Sequence, residues 1–120
     1  GDYVTLAGMV AVHQFCNIGR HAFIAGGSLV RKDIPPFVKA AREPLSYVGI
    51  NSVGLRRRGF SSEKIREIQN IYRILYQKKF NNTQAINIIE AEVEATSDRD
   101  EILVFIKDSQ RGIMKGYIQN

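Results

Sequence analysis

Three consecutive arginines, Arg56, Arg57 and Arg58, stand between Gly54 and Gly59. Such a run is either a solvated charged surface or a phosphate contact, and both readings are open on residue type alone. A planar guanidinium fork matches phosphate oxygens better than an ammonium does, and glycines on both sides let the backbone turn tightly around a ligand. His13, followed by Gln14, comes directly after the aliphatic Val12. If Val12 points inward, His13 points outward, as a plain surface residue or one within reach of a ligand or partner. His21 lies in the same part of the chain and reads as surface or cleft wall.

The element that must position these groups is visible as a period. Leu6, Val12, Ile18, Ile24 and Val30 recur at every sixth residue, each preceded two positions earlier by a small or slim residue, Val4, Val10, Cys16, Ala22 and Ser28. A helix repeats at 3.6 and a strand at 2. Period six therefore describes a coil with short flat sides, one aliphatic per side pointing inward, which is the hexapeptide form of a parallel β-helix. The pattern is already in phase at Val4, so the chain is expected to begin within a repeat array and to be the C-terminal part of a longer protein. Cys16 occupies a small site of the repeat and reads as a core filler in a reducing compartment.

Asp33-Ile34-Pro35-Pro36 is expected to stop the coil, because proline lacks the N–H that a sheet ladder needs. This divides the chain into the last coils (1–36), an extended connector with a ligand-binding loop (37–60) and a C-terminal α-helical domain (61–120). In the last part Ser61 is a good N-cap for a helix whose face carries Ile65, Ile68, Ile71, Tyr72, Leu75 and Tyr76, up to Lys78 and Lys79. Asn81-Asn82-Thr83 restarts a shorter helix, and Ser97 with Asp100 resembles a capping box for a third. The tail from Arg111 onward gives no firm assignment.

The formal net charge is +5. Residues 1–60 carry all of it, with eight Lys or Arg against three acids, while residues 61–120 hold nine of each sign. The excess suggests an anionic ligand or an acidic partner at the repeat section. No nucleic-acid-binding motif or aromatic-interleaved basic stripe is present, and the apolar runs are too short to span a bilayer.

The run Gly8-Met9-Val10-Ala11-Val12-His13-Gln14-Phe15-Cys16, followed by Ile18-Gly19, Asp33-Ile34-Pro35-Pro36 and Gly54-Leu55-Arg56-Arg57-Arg58-Gly59-Phe60, resembles the acyl-carrier-protein:UDP-N-acetylglucosamine O-acyltransferases of lipid A biosynthesis. The resemblance implies a left-handed β-helix with a C-terminal helical domain, assembled as a cytoplasmic homotrimer with active sites between subunits. It implies transfer of a 3-hydroxyacyl chain from acyl carrier protein to the sugar 3-hydroxyl without a cofactor, by a histidine base upstream of Gly1 and thus absent here. Carried onto this chain, His13, Gln14, Asn51, Arg57 and Arg58 become substrate contacts, and Gly26 becomes the end of the acyl pocket. On its own residues, Gly26 beside Gly27 reads equally as a tight coil corner. Val53 stands where many relatives carry a carboxylate. Arg20 and Lys39 are candidate cations for the acidic carrier. A non-catalytic assembly module and a sugar N-acyltransferase of the same architecture are the alternatives.

Overall fold

Strands pair in parallel at a spacing of three hexapeptides. In the computed structural model, which describes residues 1–77, 79–109 and 112–116, β1 (Thr5–Leu6) pairs with β3 (Phe23–Ile24), and β2 (Ala11–Val12) with β4 (Leu29–Val30). Leu6 sits beside Ile24 and Val12 beside Val30, so the inward aliphatics stack as the repeat requires. Ile24 and Val30 are fully buried, whereas Leu6 and Val12, on the first rung and covered from one side only, are 48% and 40% exposed. Cys16 is half-buried against the core, with its Sγ 3.9 Å from the Val30 carbonyl.

The coil does not stop at the two prolines. It shortens by two residues there, pairing Ile18 with Ile34 and Ile24 with Ala40, and continues into β5 (Val38–Ala41) alongside β3. The prolines are tolerated because they occupy a corner. The ladder bonds fall on their neighbours, with Ile34 N donating to Asn17 O at 2.9 Å and Phe37 N to Arg20 O at 2.8 Å.

The corners have a repeat of their own. Tyr3, Met9, Phe15, His21 and Gly27, every sixth residue, and then Phe37 all have φ between 60° and 75°. A side chain in this left-handed region costs roughly 1–2 kcal/mol. Stacking offsets part of that along one corner: His21 lies between Tyr3 and Phe37, with ring centroids 4.9 and 5.8 Å away. His21 is thus 4% exposed, a buried rung of an aromatic ladder rather than surface or cleft wall.

β6 (Ser46–Ile50) folds back antiparallel on β5. The segment after it is not extended, since α1 (Ser52–Arg57) is a short helix capped by Asn51 and anchored by the buried Leu55. Three longer helices follow: α2 (Ser62–Leu75), α3 (Asn82–Glu92) and α4 (Ser97–Asp108). Ser61 caps α2 as expected, and the helix ends at Tyr76 rather than at Lys79; Lys78 lies outside the described residues. Asn81 and Gln84 form a capping box on α3. The cap of α4 is Thr96, whose hydroxyl accepts from Arg99 N, one residue before the expected Ser97. The helices close over the end of the coil, where the Tyr72 hydroxyl donates to Pro36 O at 2.5 Å. Within the tail, Ile113 bridges to Asp33 and Gly116 to Tyr47, while Arg111 and residues 117–120 lie outside the described residues.

Candidate functional site

The outward residues of one coil face stand in register, Thr5 beside Phe23 and Phe23 beside Lys39. With α1 they form a cleft of about 330 Å³ whose walls include Asn51, Val53 and Arg57, and among the described residues no carboxylate lines it. Arg57, in the last turn of α1, is exposed to this space. Asn51 is committed to the fold as well as to the cleft wall: its Nδ2 donates to His21 O at 2.9 Å and its Oδ1 accepts from Gly54 N at 3.3 Å, holding α1 on the coil. Gly54 is required by that cap rather than by a turn around a ligand, since a Cβ there would lie 2.5 Å from Asn51 Nδ2. Val53 is 60% exposed and adds no polar group.

The arginines separate. Arg58 is the C-cap of α1, does not line the cleft, and lays its guanidinium carbon 4.2 Å from the Tyr3 ring centroid, extending the aromatic ladder by a cation. Arg57 is therefore the member of the run that lines the cleft, and Arg58 lies one residue beyond it.

His13 and Gln14 belong to a different face. His13 follows β2, with its backbone N donating to Val30 O, and its Nδ1 lies 2.9 Å from Gln14 O, which can only accept. Nδ1 is accordingly the donor in that contact. Both side chains are exposed, as expected, but this chain does not bring them together with Asn51 and Arg57. Gly26 lies between these faces and is exposed. The positive φ of that corner belongs to Gly27; at Gly26 the constraint is close approach, because a Cβ would meet Gly8 O at 3.0 Å.

A larger cleft, about 970 Å³, opens between the third coil face and α4. It is lined by Asp2, Asp33, Asp100, Glu101 and Asp108, and Arg20 within it is clamped by Glu101 through two bonds of 2.8 and 3.1 Å. That hydrogen-bonded pairing raises the Arg20 pKa and ties the side chain down. Five carboxylates around it make this cleft unsuited to an anion, and the ion pair leaves Arg20 little free charge to offer a carrier. Asp33 is the residue whose importance the sequence concealed: it accepts from Asn17 N at 2.8 Å and Ser109 Oγ at 2.6 Å, and is 2% exposed. Among the described residues no cluster is suited to hold a metal ion, and no helix is long and apolar enough to cross a membrane.

Residues 33–114 match the family model described as UDP-N-acetylglucosamine O-acyltransferase, domain 2. Two curated relatives are acyl-[acyl-carrier-protein]–UDP-N-acetylglucosamine O-acyltransferases. That of Myxococcus xanthus is 41% identical, over 95% of this chain and 44% of its own length, and that of Herminiimonas arsenicoxydans 45% identical, over 95% and 45%. Among solved structures, the UDP-N-acetylglucosamine acyltransferase of Bacteroides fragilis superposes with a TM-score of 0.91 at 47% identity, over 93% of this chain and 44% of that one. The enzyme of Francisella novicida gives 0.88 at 38% identity, over 95% and 42%. The chain thus spans a little under half the length of these relatives. With a family match across most of its residues and a shared backbone, the chain belongs to the UDP-N-acetylglucosamine O-acyltransferase family.

Proposed function

We propose that the protein carrying this chain transfers a 3-hydroxyacyl group from acyl carrier protein to the 3-hydroxyl of UDP-N-acetylglucosamine, the first step of lipid A biosynthesis. The observation that carries the reading is the acid-free cleft that holds Arg57 against a hexapeptide coil, a setting suited to the diphosphate of a nucleotide sugar. In the reaction the sugar oxygen bonds to the acyl carbon, the thioester C–S bond breaks, and the hydroxyl proton passes through the base to the departing thiol. The donor is already activated, so no cofactor is required. The base is a histidine outside these 120 residues.

Placement of His13 and Gln14 on one face and Asn51 and Arg57 on another supports an active site shared between subunits of a homotrimer, one supplying the histidine face and its neighbour the arginine cleft. Arg58 contributes beside Arg57 through its seat on Tyr3. Gly26 bounds the acyl chain. Its exposed position between the faces supports this, since a larger side chain there meets either Gly8 of the rung below or the chain itself. The left-handed sense of the coil, the treatment of α2 to α4 as one C-terminal domain, the division near residues 36 and 60 and a cytoplasmic location belong to the same proposal.

The test is steady-state kinetics of Arg57→Ala and Arg58→Ala in the full-length protein. Each is expected to raise the KM for UDP-N-acetylglucosamine far more than that for the acyl carrier, with about 1.5–3 kcal/mol lost from kcat/KM. Unchanged kinetics in both variants would remove the cleft from the active site.

A further inference from the structure

We propose that Lys39 is a second phosphate-binding cation of the Arg57 cleft, so that two positive groups, one from β5 and one from α1, hold the dianionic part of the ligand. The inference rests on the reading of this cleft as the nucleotide-sugar site and adds a contact to it.

β5 alternates cleanly: Val38 and Ala40 are buried and Lys39 points outward. Its position is fixed on both sides, by pairing with Phe23 on β3 and with Gly49 on β6. The lysine Nζ lies 5.9 Å from the Phe23 ring centroid, and Lys39 lines the cleft together with Phe23 and Arg57. α1 is anchored to the same frame, with Asn51 N donating to Phe37 O at 2.9 Å and Asn51 Nδ2 to His21 O. Lys39 and Arg57 are therefore carried by two elements hydrogen-bonded to one coil.

Their charges are not used by the fold. Arg20, Arg31, Lys64, Arg99 and Lys107 each pair with an acid, whereas neither Lys39 nor Arg57 forms an ion pair among the described residues. Two cations sharing a small, carboxylate-free space repel one another, and a ligand with two negative charges relieves that repulsion while a monoanion relieves half of it. The alternative duty of Lys39 is to receive an acidic face of the carrier protein. The geometry favours a small ligand, because Lys39 lines a cleft of about 330 Å³ together with Phe23 and residues of α1.

The experiment uses the full-length protein with Lys39→Met, Lys39→Arg and Arg57→Met, titrated calorimetrically with UDP and with uridine, together with KM values for both substrates. Because Lys39 is exposed, Lys39→Met is expected to keep the wild-type melting temperature. UDP affinity should fall on the order of tenfold in Lys39→Met while uridine affinity stays unchanged, and recover to within about threefold of wild type in Lys39→Arg. Wild-type UDP affinity in Lys39→Met, with loss only in Arg57→Met, overturns the role of Lys39 and leaves the cleft reading standing. A raised KM for the acyl carrier alone overturns it in favour of donor docking. Wild-type UDP affinity in both Met variants removes the cleft reading and the inference together.

Discussion

Along the face of Thr5, Phe23 and Lys39 the cleft holds two cations and no acid, whereas along the face of Asn17 and Ile18 the larger cleft holds five carboxylates and a single clamped arginine. Size would favour the second as a ligand site. Charge accounting favours the first. In the acidic cleft Arg20 is taken by Glu101, and both Asp33 oxygens accept hydrogen bonds from within the fold. In the basic cleft the side chain that is taken is Asn51, and it is the one that fastens α1. In the acidic cleft Arg20 and Asp33 are held by the fold, whereas in the basic cleft neither Lys39 nor Arg57 is in an ion pair among the described residues.

The strongest way to break that contrast is to remove Asp33. Its carboxylate ties Asn17, on the coil, to Ser109, beyond α4, while its backbone bonds Gly112 and Met114. Asp33→Ala deletes two charge-assisted acceptors and leaves the Asn17 N–H without its partner, which should cost about 3 kcal/mol or more in urea unfolding. UDP affinity, measured below the transition, should not change. A small stability loss with altered UDP binding would mean that the acidic cleft is a ligand site after all.

A smaller effect sharpens the same contrast. Arg20 and Glu101 are bidentate but about one-third exposed, so solvent screens them. A double-mutant cycle with Arg20→Ala and Glu101→Ala should give a coupling of about 0.5–1 kcal/mol in stability. Removing both side chains together should also leave the carrier association rate and its salt dependence within about twofold of wild type, because a neutralised pair steers little. A marked fall in that rate would return Arg20 to the docking surface.

What the sequence made legible follows from how local each signal is. The inward aliphatics at period six, Ser61 as a cap and the buried face of α2 from Ile65 to Leu75 depend on near neighbours, and all appear in the structure. The two-residue shortening at Ile34 was hidden because Pro35-Pro36 carries the same signature for a corner as for a stop. The corner series Tyr3, Met9, Phe15, His21 was present at the same period but disguised, since these residue types rarely mark a left-handed backbone. α1 was concealed by Gly54, a poor helix former that is kept here because the Asn51 cap fills the space of a side chain. Which member of the Arg56–Arg58 run lines the cleft was readable only once α1 was in place, because one residue of helix turns Arg57 into the cleft and Arg58 onto Tyr3. Lys39 was readable as a cation, but its face required β5, a strand that follows the two prolines.

The smallest expected effect concerns the residue that stands between the two clefts. His21 gives its carbonyl to the Asn51 amide on the basic side and neighbours Arg20 on the acidic side. Its ring is packed by Tyr3, Phe37 and the edge of Phe60, whose centroid is 5.1 Å away. Burial lowers its pKa below the ordinary histidine value, helped by the charges of Arg20 and Arg58 and opposed by those of Glu101 and Asp98. The unfolded chain then binds a proton more readily than the folded one. Stability from this group is complete above about pH 6.5 and is lost as pH falls through the lower folded value. Phenylalanine can keep the stack, since Phe37 occupies the equivalent corner at φ 71°. The measurement is the unfolding free energy of wild type and His21→Phe between about pH 8 and pH 5, where subtracting one from the other cancels the carboxylates they share. The difference should stay flat above neutrality and move against the wild type below about pH 6.5. If it stays flat throughout, the ring is not shielded as the stack implies, and the corner ladder is open to water.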